Sequence, residues 1–368
     1  MRIGNDPHTA HDWMRERSHM AEIIGKAHLT QKENYLRTLR GEDHEFVPTY
    51  TFGPMPGMTE PVANCMLEPE NLVEFRMKGG GKDPWGVNYV GTAETAGALL
   101  PEPGNFILDD ITKWHDVIKA PSLEGIDWEA MAKRQLDGFA AMGSPRDQSA
   151  VSFNMHVGYF QNLMAFMGFE EGLCAMSEEP EEVKALLSYI CDFYMEVANH
   201  IIDYVQPDVL TMMDDVATWR APFISKDMFE ELILPWHNIQ ASLGRERGIP
   251  ITMHCCGHAD NLVDDWVSIG VNAWDPAQTC NDLKGVKEKY GNKFIIMGGW
   301  DSVGRLLEKD VTEEELRQSV RVSIDNYAYD GGYCWCGGFL GPIGDEECMR
   351  KNNIIMDEVN TYGRTIYK

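Results

Sequence analysis

Two short segments of this 368-residue chain carry side chains that bind soft metal ions. In His254-Cys255-Cys256-Gly257 the imidazole and the second thiol are two residues apart, so on a β-strand they share one face while Cys255 points away. Cys334-Trp335-Cys336 repeats the same-face spacing, its Cys336 falling 82 residues after His254. Two thiolates and one imidazole make a neutral shell around Zn²⁺ with a fourth position open, the arrangement of a catalytic zinc. Such an ion ionises a bound thiol or polarises an ether oxygen. The plainer reading is also available, since cysteines are common core residues and a strand-end histidine often only satisfies a carbonyl.

Other chemistry-bearing residues also close apolar runs. His156 follows VSFNM, Asp214 and Asp215 follow VLTMM, Asp275 follows NAW, and Trp300-Asp301 follow IIMGG. His156, Asp214 and Asp215 are the candidate catalytic acid–base groups, although either aspartate would serve equally well as a helix N-cap. Trp300, Asp301 and Gly257 are the candidate cofactor-binding positions. Trp85, Trp219, Trp274, Trp300 and Trp335 offer flat surface for an aromatic or tetrapyrrole ligand, or complete the packing.

The elements that must position these groups follow from the pattern of apolar runs. Segments 46–52, 151–157, 208–213, 250–256, 271–274, 294–297 and 333–336 are short, apolar and bounded by Gly, Pro or Asp, which reads as buried parallel strands. Longer amphipathic stretches lie between them. In 181–205, Leu186, Leu187, Ile190, Phe193 and Val197 recur at helical spacing, and Thr312-Glu313-Glu314-Glu315 opens another helix with a capping box. Repeated strand–helix alternation predicts an α/β fold, a (β/α)8 TIM barrel with an N-terminal helical extension over residues 1–42, in a single domain spanning 1–368. The extension reads as helical from about residue 13 to 39. No Gly-x-Gly-x-x-Gly turn or phosphate loop supports an open nucleotide-binding sheet, and Gly79-Gly80-Gly81-Lys82 reads as a surface turn.

The 32 basic and 58 acidic side chains leave a net charge of −26, which repels phosphate backbones and anionic lipids, so no nucleic-acid partner is expected. No apolar stretch reaches the roughly 18–20 residues of a membrane span, and the chain opens without a signal pattern, so a cytoplasmic protein is expected. Nine cysteines are too sparse for a disulfide framework.

Taken in order, several segments resemble the uroporphyrinogen decarboxylase superfamily, and within it the zinc methyltransferases that exchange methyl groups with a corrinoid. They are 35–48 (YLRTLRGEDHEFVP), Asp83-Pro84-Trp85-Gly86-Val87, 158–172, 207–215, 225–235, the His-x-Cys-Gly at 254–257 and Gly298-Gly299-Trp300-Asp301. The resemblance implies a barrel with its cleft at the C-terminal strand ends. Decarboxylases of the superfamily carry an arginine-rich element after the first strand; here that stretch is Phe52-Gly53-Pro54-Met55-Pro56-Gly57. In the methyltransferase branch a His-x-Cys pair and a later cysteine hold zinc. These fall on His254, Cys256 and Cys336, with Cys334 the second candidate because two cysteines stand where one is usual.

The resemblance therefore implies a zinc-dependent methyltransferase acting between a small methyl donor or thiol acceptor and a corrinoid carrier protein, with a homodimer compatible. The many aromatic residues make an aryl ether one conceivable donor. The competing readings are a metal-free decarboxylase of a tetrapyrrole or other polycarboxylate, gripped by Arg37, Arg40, Arg76 or Arg220, and a non-catalytic tetrapyrrole-binding barrel.

Overall fold

Each of the seven apolar runs overlaps a parallel strand in the computed structural model, which describes residues 28–51, 61–65, 67–92, 98–155, 157–341 and 345–367. After β1 (Thr49–Tyr50) come β2 (Val62–Cys65), three short strands β3 (Gly80–Lys82), β4 (Asn88–Gly91) and β5 (Leu99–Pro101), and then β6 (Ala150–Met155). The chain continues through β7 (Val209–Met213), β8 (Ile251–His254), β9 (Ala273–Ala277), β10 (Ile295–Gly299) and β11 (Tyr333–Cys336). Eight of these form one parallel sheet in the order β1-β11-β10-β9-β8-β7-β6-β2. Because its two end strands are neighbours in sequence, the sheet curls into a nearly closed (β/α)8 barrel.

The period-two alternation of the strands separates two cores. Ala273, Ile295, Met297, Cys334 and Cys336 belong to the inner cluster, whereas the intervening Trp274, Ile296 and Trp335 pack in the outer one, which also holds the helices. Helix α1 (Gln31–Leu39) starts at Thr30, whose side chain and that of Glu33 cap each other's backbone, and it contributes Tyr35, Leu36 and Leu39 to the inner cluster. These three residues close the N-terminal end of the barrel. The rest of the expected N-terminal extension, residues 1–27, lies outside the described residues.

On the outside, α2 (Glu70–Met77), α3 (Tyr159–Met167), α4 (Phe169–Glu178), α5 (Pro180–Val205), α6 (Leu234–Arg245) and α7 (Glu313–Tyr327) follow the amphipathic pattern. The capping box expected at Thr312 is formed with Glu315, and the helix expected over 181–205 begins one residue earlier, at Pro180.

Two elements differ from the sequence reading. Val62–Cys65 is the eighth barrel strand, in a segment too short and too mixed to stand out as an apolar run. The glycine run is not a free turn: β3 pairs with β4, and β4 with β5, as an antiparallel sheet. A Cβ at Gly80 would lie 2.7 Å from the Tyr89 carbonyl oxygen, so the close approach requires glycine there.

Asp83 secures the link between β3 and β4, its Oδ1 accepting the Val87 N–H at 2.8 Å. Burial pushes its carboxyl up to about 6, against the pull of the Val87, Trp85 and Gly86 backbone and of Arg76. A carboxyl raised in the folded state favours folding below its unfolded value near 4 and loses that contribution as pH rises through 6. The full effect is about 3 kcal/mol, of which about 1 kcal/mol falls between pH 5.0 and 7.5. Urea unfolding at these two pH values is expected to show wild type losing that amount relative to Asp83→Asn.

Candidate metal centre

At the C-terminal end of β8, His254 projects into the barrel beside Asp275 of β9, because the parallel register pairs these two residues. The Asp275 carboxylate lies 2.7 Å from His254 Nδ1, and both side chains are buried. That bond places a proton on Nδ1 and turns Nε2 toward Cys256, whose Sγ is 3.7 Å away. Zn–S and Zn–N bonds of about 2.3 Å and 2.0–2.1 Å span this separation with an angle of roughly 115° at the ion, close to tetrahedral. The residues present therefore fit a zinc ion. A carboxylate behind the ligating imidazole is the arrangement that fixes tautomer and ring orientation at such sites.

Asp215 completes a compact group with His254 and Cys256, their ligand atoms all lying within 4.8 Å of one another. Its Oδ1 accepts the Cys256 backbone N–H at 2.7 Å and its Oδ2 accepts from Gln161 Nε2 at 3.2 Å. Cys336 faces the same barrel interior from β11, 2% exposed, and lies outside that compact group; Cys334 is one inward step deeper.

The protonation states follow from burial and pairing. Burial alone would lower His254, but the charge and hydrogen bond of Asp275, helped by Cys256, hold the imidazole well above its ordinary value. Burial raises Cys256, against the pull of His254, and raises Cys336 and Cys334 further, with Asp275 adding to both. A metal entering here must displace thiol protons, so its affinity rises with pH.

The family model for uroporphyrinogen decarboxylase (URO-D) matches residues 156–338, which run from the end of β6 past β11 and contain this centre. The chain belongs to the uroporphyrinogen decarboxylase superfamily. Among solved structures, it is similar to a methyltransferase from Methanosarcina mazei, with 14% identity and a TM-score of 0.64 over 91% of this chain and 99% of that one. A weaker likeness is to a B12-independent methionine synthase from Shewanella sp. W3-18-1, with 11% identity and a TM-score of 0.42 over 67% and 69% of the two chains. No curated protein matches the sequence.

In this uroporphyrinogen decarboxylase-type barrel the two adjacent aspartates do different work. Asp214 is fully buried and points at the first turn of α3, accepting the N–H groups of Phe160 and Gln161 at 3.0 and 3.1 Å, with His237 Nε2 at 3.1 Å on its far side. It caps a helix, though a different one from the helix that follows its own strand. Asp215 lines the cavity at the barrel mouth together with Cys256. His156 lies outside the described residues.

Of the three candidate cofactor positions, Gly257 directly follows Cys256, whereas Trp300 and Asp301 follow the end of β10. Gly257 N–H donates to Gln278 Oε1 at 2.7 Å, while Gln278 Nε2 and the Thr279 N–H and hydroxyl donate to Asp301. Gly257 and Asp301 thus belong to one hydrogen-bonded run across three strand ends. The Trp300 indole packs on Trp335 and Phe339, donates to Ser319, and lines a separate groove against α7. Of the other tryptophans, Trp85 lines the mouth cavity, Trp274 and Trp335 are sealed in the outer core, and Trp219 is half exposed.

Asp275 as the imidazole's anchor and Gln161 as the link between α3 and Asp215 escape a reading by sequence. Asp275 was visible only as a polar strand end, and its pairing with His254 needs the strand register. Asp214→Ala is expected to cost roughly 3 kcal/mol or more in chemical denaturation, because it strands a buried imidazole and two helix N–H groups.

Proposed function

We propose that the chain is a zinc-dependent methyltransferase that moves a methyl group between a small substrate, a methyl ether or thiol, and a corrinoid carried by a partner protein. The observation that carries this reading is the 3.7 Å approach of His254 Nε2 and Cys256 Sγ, with Asp275 behind the imidazole, at the floor of a mouth cavity of about 900 Å³. Its donor set is imidazole and thiolate, the set zinc prefers. His254 and Cys256 would hold the ion, with Cys336 as the third protein ligand on the facing strand. Zinc bound there supplies Lewis acidity, which lowers the pKa of a thiol or makes an ether oxygen a better leaving atom.

The chain's own groups then have separable tasks. Asp275 anchors Nδ1 of His254, makes the ring more basic and keeps Nε2 aimed inward. Asp215 holds the backbone at Cys256 and stands at the cavity floor, where its carboxylate is placed to exchange a proton with the substrate heteroatom. Among the described residues no helix is long and apolar enough to cross a bilayer.

The decarboxylase alternative needs cations in the cleft. Of the four arginines it relied on, Arg76 alone is among the described residues lining the cavity, alongside Glu68, Asp83 and Asp215. Arg37 and Arg40 lie at the end of α1, which closes the opposite end of the barrel, and Arg220 is exposed. A polyanionic tetrapyrrole would meet three carboxylates and one guanidinium.

Metal analysis of the purified protein is expected to give about one zinc per chain, and methyl transfer to a Co(I) corrinoid protein is expected to stop on chelation and return with zinc. Cys256→Ser should abolish both. Asp275→Asn should keep the fold and weaken zinc about 10–100-fold in a chelator competition. A protein that purifies and works without zinc would overturn the reading.

A further inference from the structure

We propose that the cavity above Cys256 is a binding site for a flat, uncharged aromatic ring, so that the small substrate is an aryl methyl ether in preference to an anionic thiol. The proposal rests on the methyltransferase reading for what happens to the substrate, but its evidence is the chamber and not the metal ligands.

Two walls of different origin enclose the cavity. On the barrel side, Phe160 from the first turn of α3 stacks on Phe223 with ring centroids 5.6 Å apart and planes 17° apart, and Phe169 at the start of α4 packs on the same Phe223 at 4.9 Å. A second group of lining rings is Phe75 of α2 and Tyr89 of β4, centroids 5.0 Å apart. All five rings line one continuous space with Cys256 and Asp215. A ring held between these walls keeps its substituents in the same space as the thiol. At about 900 Å³, the chamber lies within the size range of sites that take small molecules, with room for a ring and for the reacting face of a partner.

The charges argue in the same direction. Among the described lining residues, carboxylates outnumber cations, with Glu68, Asp83 and Asp215 against Arg76. The Arg76 guanidinium lies over the Phe75 and Tyr89 rings, 4.9 and 5.9 Å from their centroids. An anionic ligand would desolvate its charge against apolar faces and like-charged carboxylates, whereas a neutral ring gains offset or edge contacts with several aromatic partners.

The test is calorimetric titration of the full-length protein with methoxybenzene, cyclohexyl methyl ether and mercaptoacetate, in wild type, Phe169→Leu and Phe223→Leu. Leucine keeps the apolar bulk and removes the π-face. Methoxybenzene is expected to bind at least about 10-fold tighter than mercaptoacetate, and each leucine variant to weaken it about 3–10-fold while changing the cyclohexyl ether less than about 2-fold. Mercaptoacetate binding as tightly as methoxybenzene would overturn the assignment. Leucine variants that bind all three probes like wild type would also overturn it. The same titration in Cys256→Ser separates this proposal from the metal reading. Ring binding kept in that variant is expected, since the chamber does not need the metal ligand; a wild type that binds methoxybenzene and works without zinc would leave the chamber assignment standing and remove the zinc one, whereas a zinc-loaded wild type that ignores methoxybenzene would do the reverse.

Discussion

The buried bond between His254 and Asp275 is the interaction on which the rest of the site depends. A carboxylate with no solvent exposure is costly in a barrel interior unless an opposite charge or a donor meets it, and the imidazole 2.7 Å away is that partner. Neither residue could occupy its place alone. Together they hold one nitrogen of the ring facing Cys256, and they do so through strand register, which is among the least deformable relations in a parallel barrel. Loops at the mouth can vary without moving this pair.

Around that bond the barrel interior is graded from closed to open. Tyr35, Leu36 and Leu39 seal one end, Cys334 sits among apolar neighbours, Cys336 is one pleat nearer the mouth, and Cys256 is partly accessible at the cavity floor. The two deeper thiols are harder to ionise than Cys256, burial being the leading cause of each upward shift. Cys256, the thiol nearest the mouth, is thus the most easily ionised of the three. Its place one pleat nearer the mouth gives Cys336 a stronger claim than Cys334 to stand beside His254 and Cys256.

Much of this was legible in the sequence because it rests on local pattern. Seven of the eight barrel strands, the capping box at Thr312 and the shared face of His254 and Cys256 all follow from spacing within one element. What escaped depends on relations between elements. Val62–Cys65 is recognised as a strand only by its pairing with β6, and the glycine run only by its pairing with β4. The roles of Asp275 and Gln161 appear only when neighbouring strands and a helix are set side by side. Trp300 and Trp335 looked like a flat ligand surface because strand-end position does not say which side of the sheet an indole will occupy. Here they pack on each other.

The adjacent aspartates show how one strand end couples the outer layer to the chemistry. Successive residues leave the strand in opposite directions, so Asp214 turns out to the N-terminus of α3 and Asp215 turns in to the backbone of Cys256. The helix returns the contact: Gln161, whose N–H is held by Asp214, donates its side chain to Asp215. The same helix places Phe160 in the cavity wall. A Cβ at Gly158 would fall within 2.7 Å of both Gln161 Oε1 and Asp214 Oδ1, so glycine is what lets the turn close onto the carboxylate. The position of α3 relative to β7 therefore sets two things together, the distance of Asp215 from His254 and Cys256 and the shape of the chamber. A ligand seated against Phe160 and a group held at Cys256 would therefore meet one and the same helix.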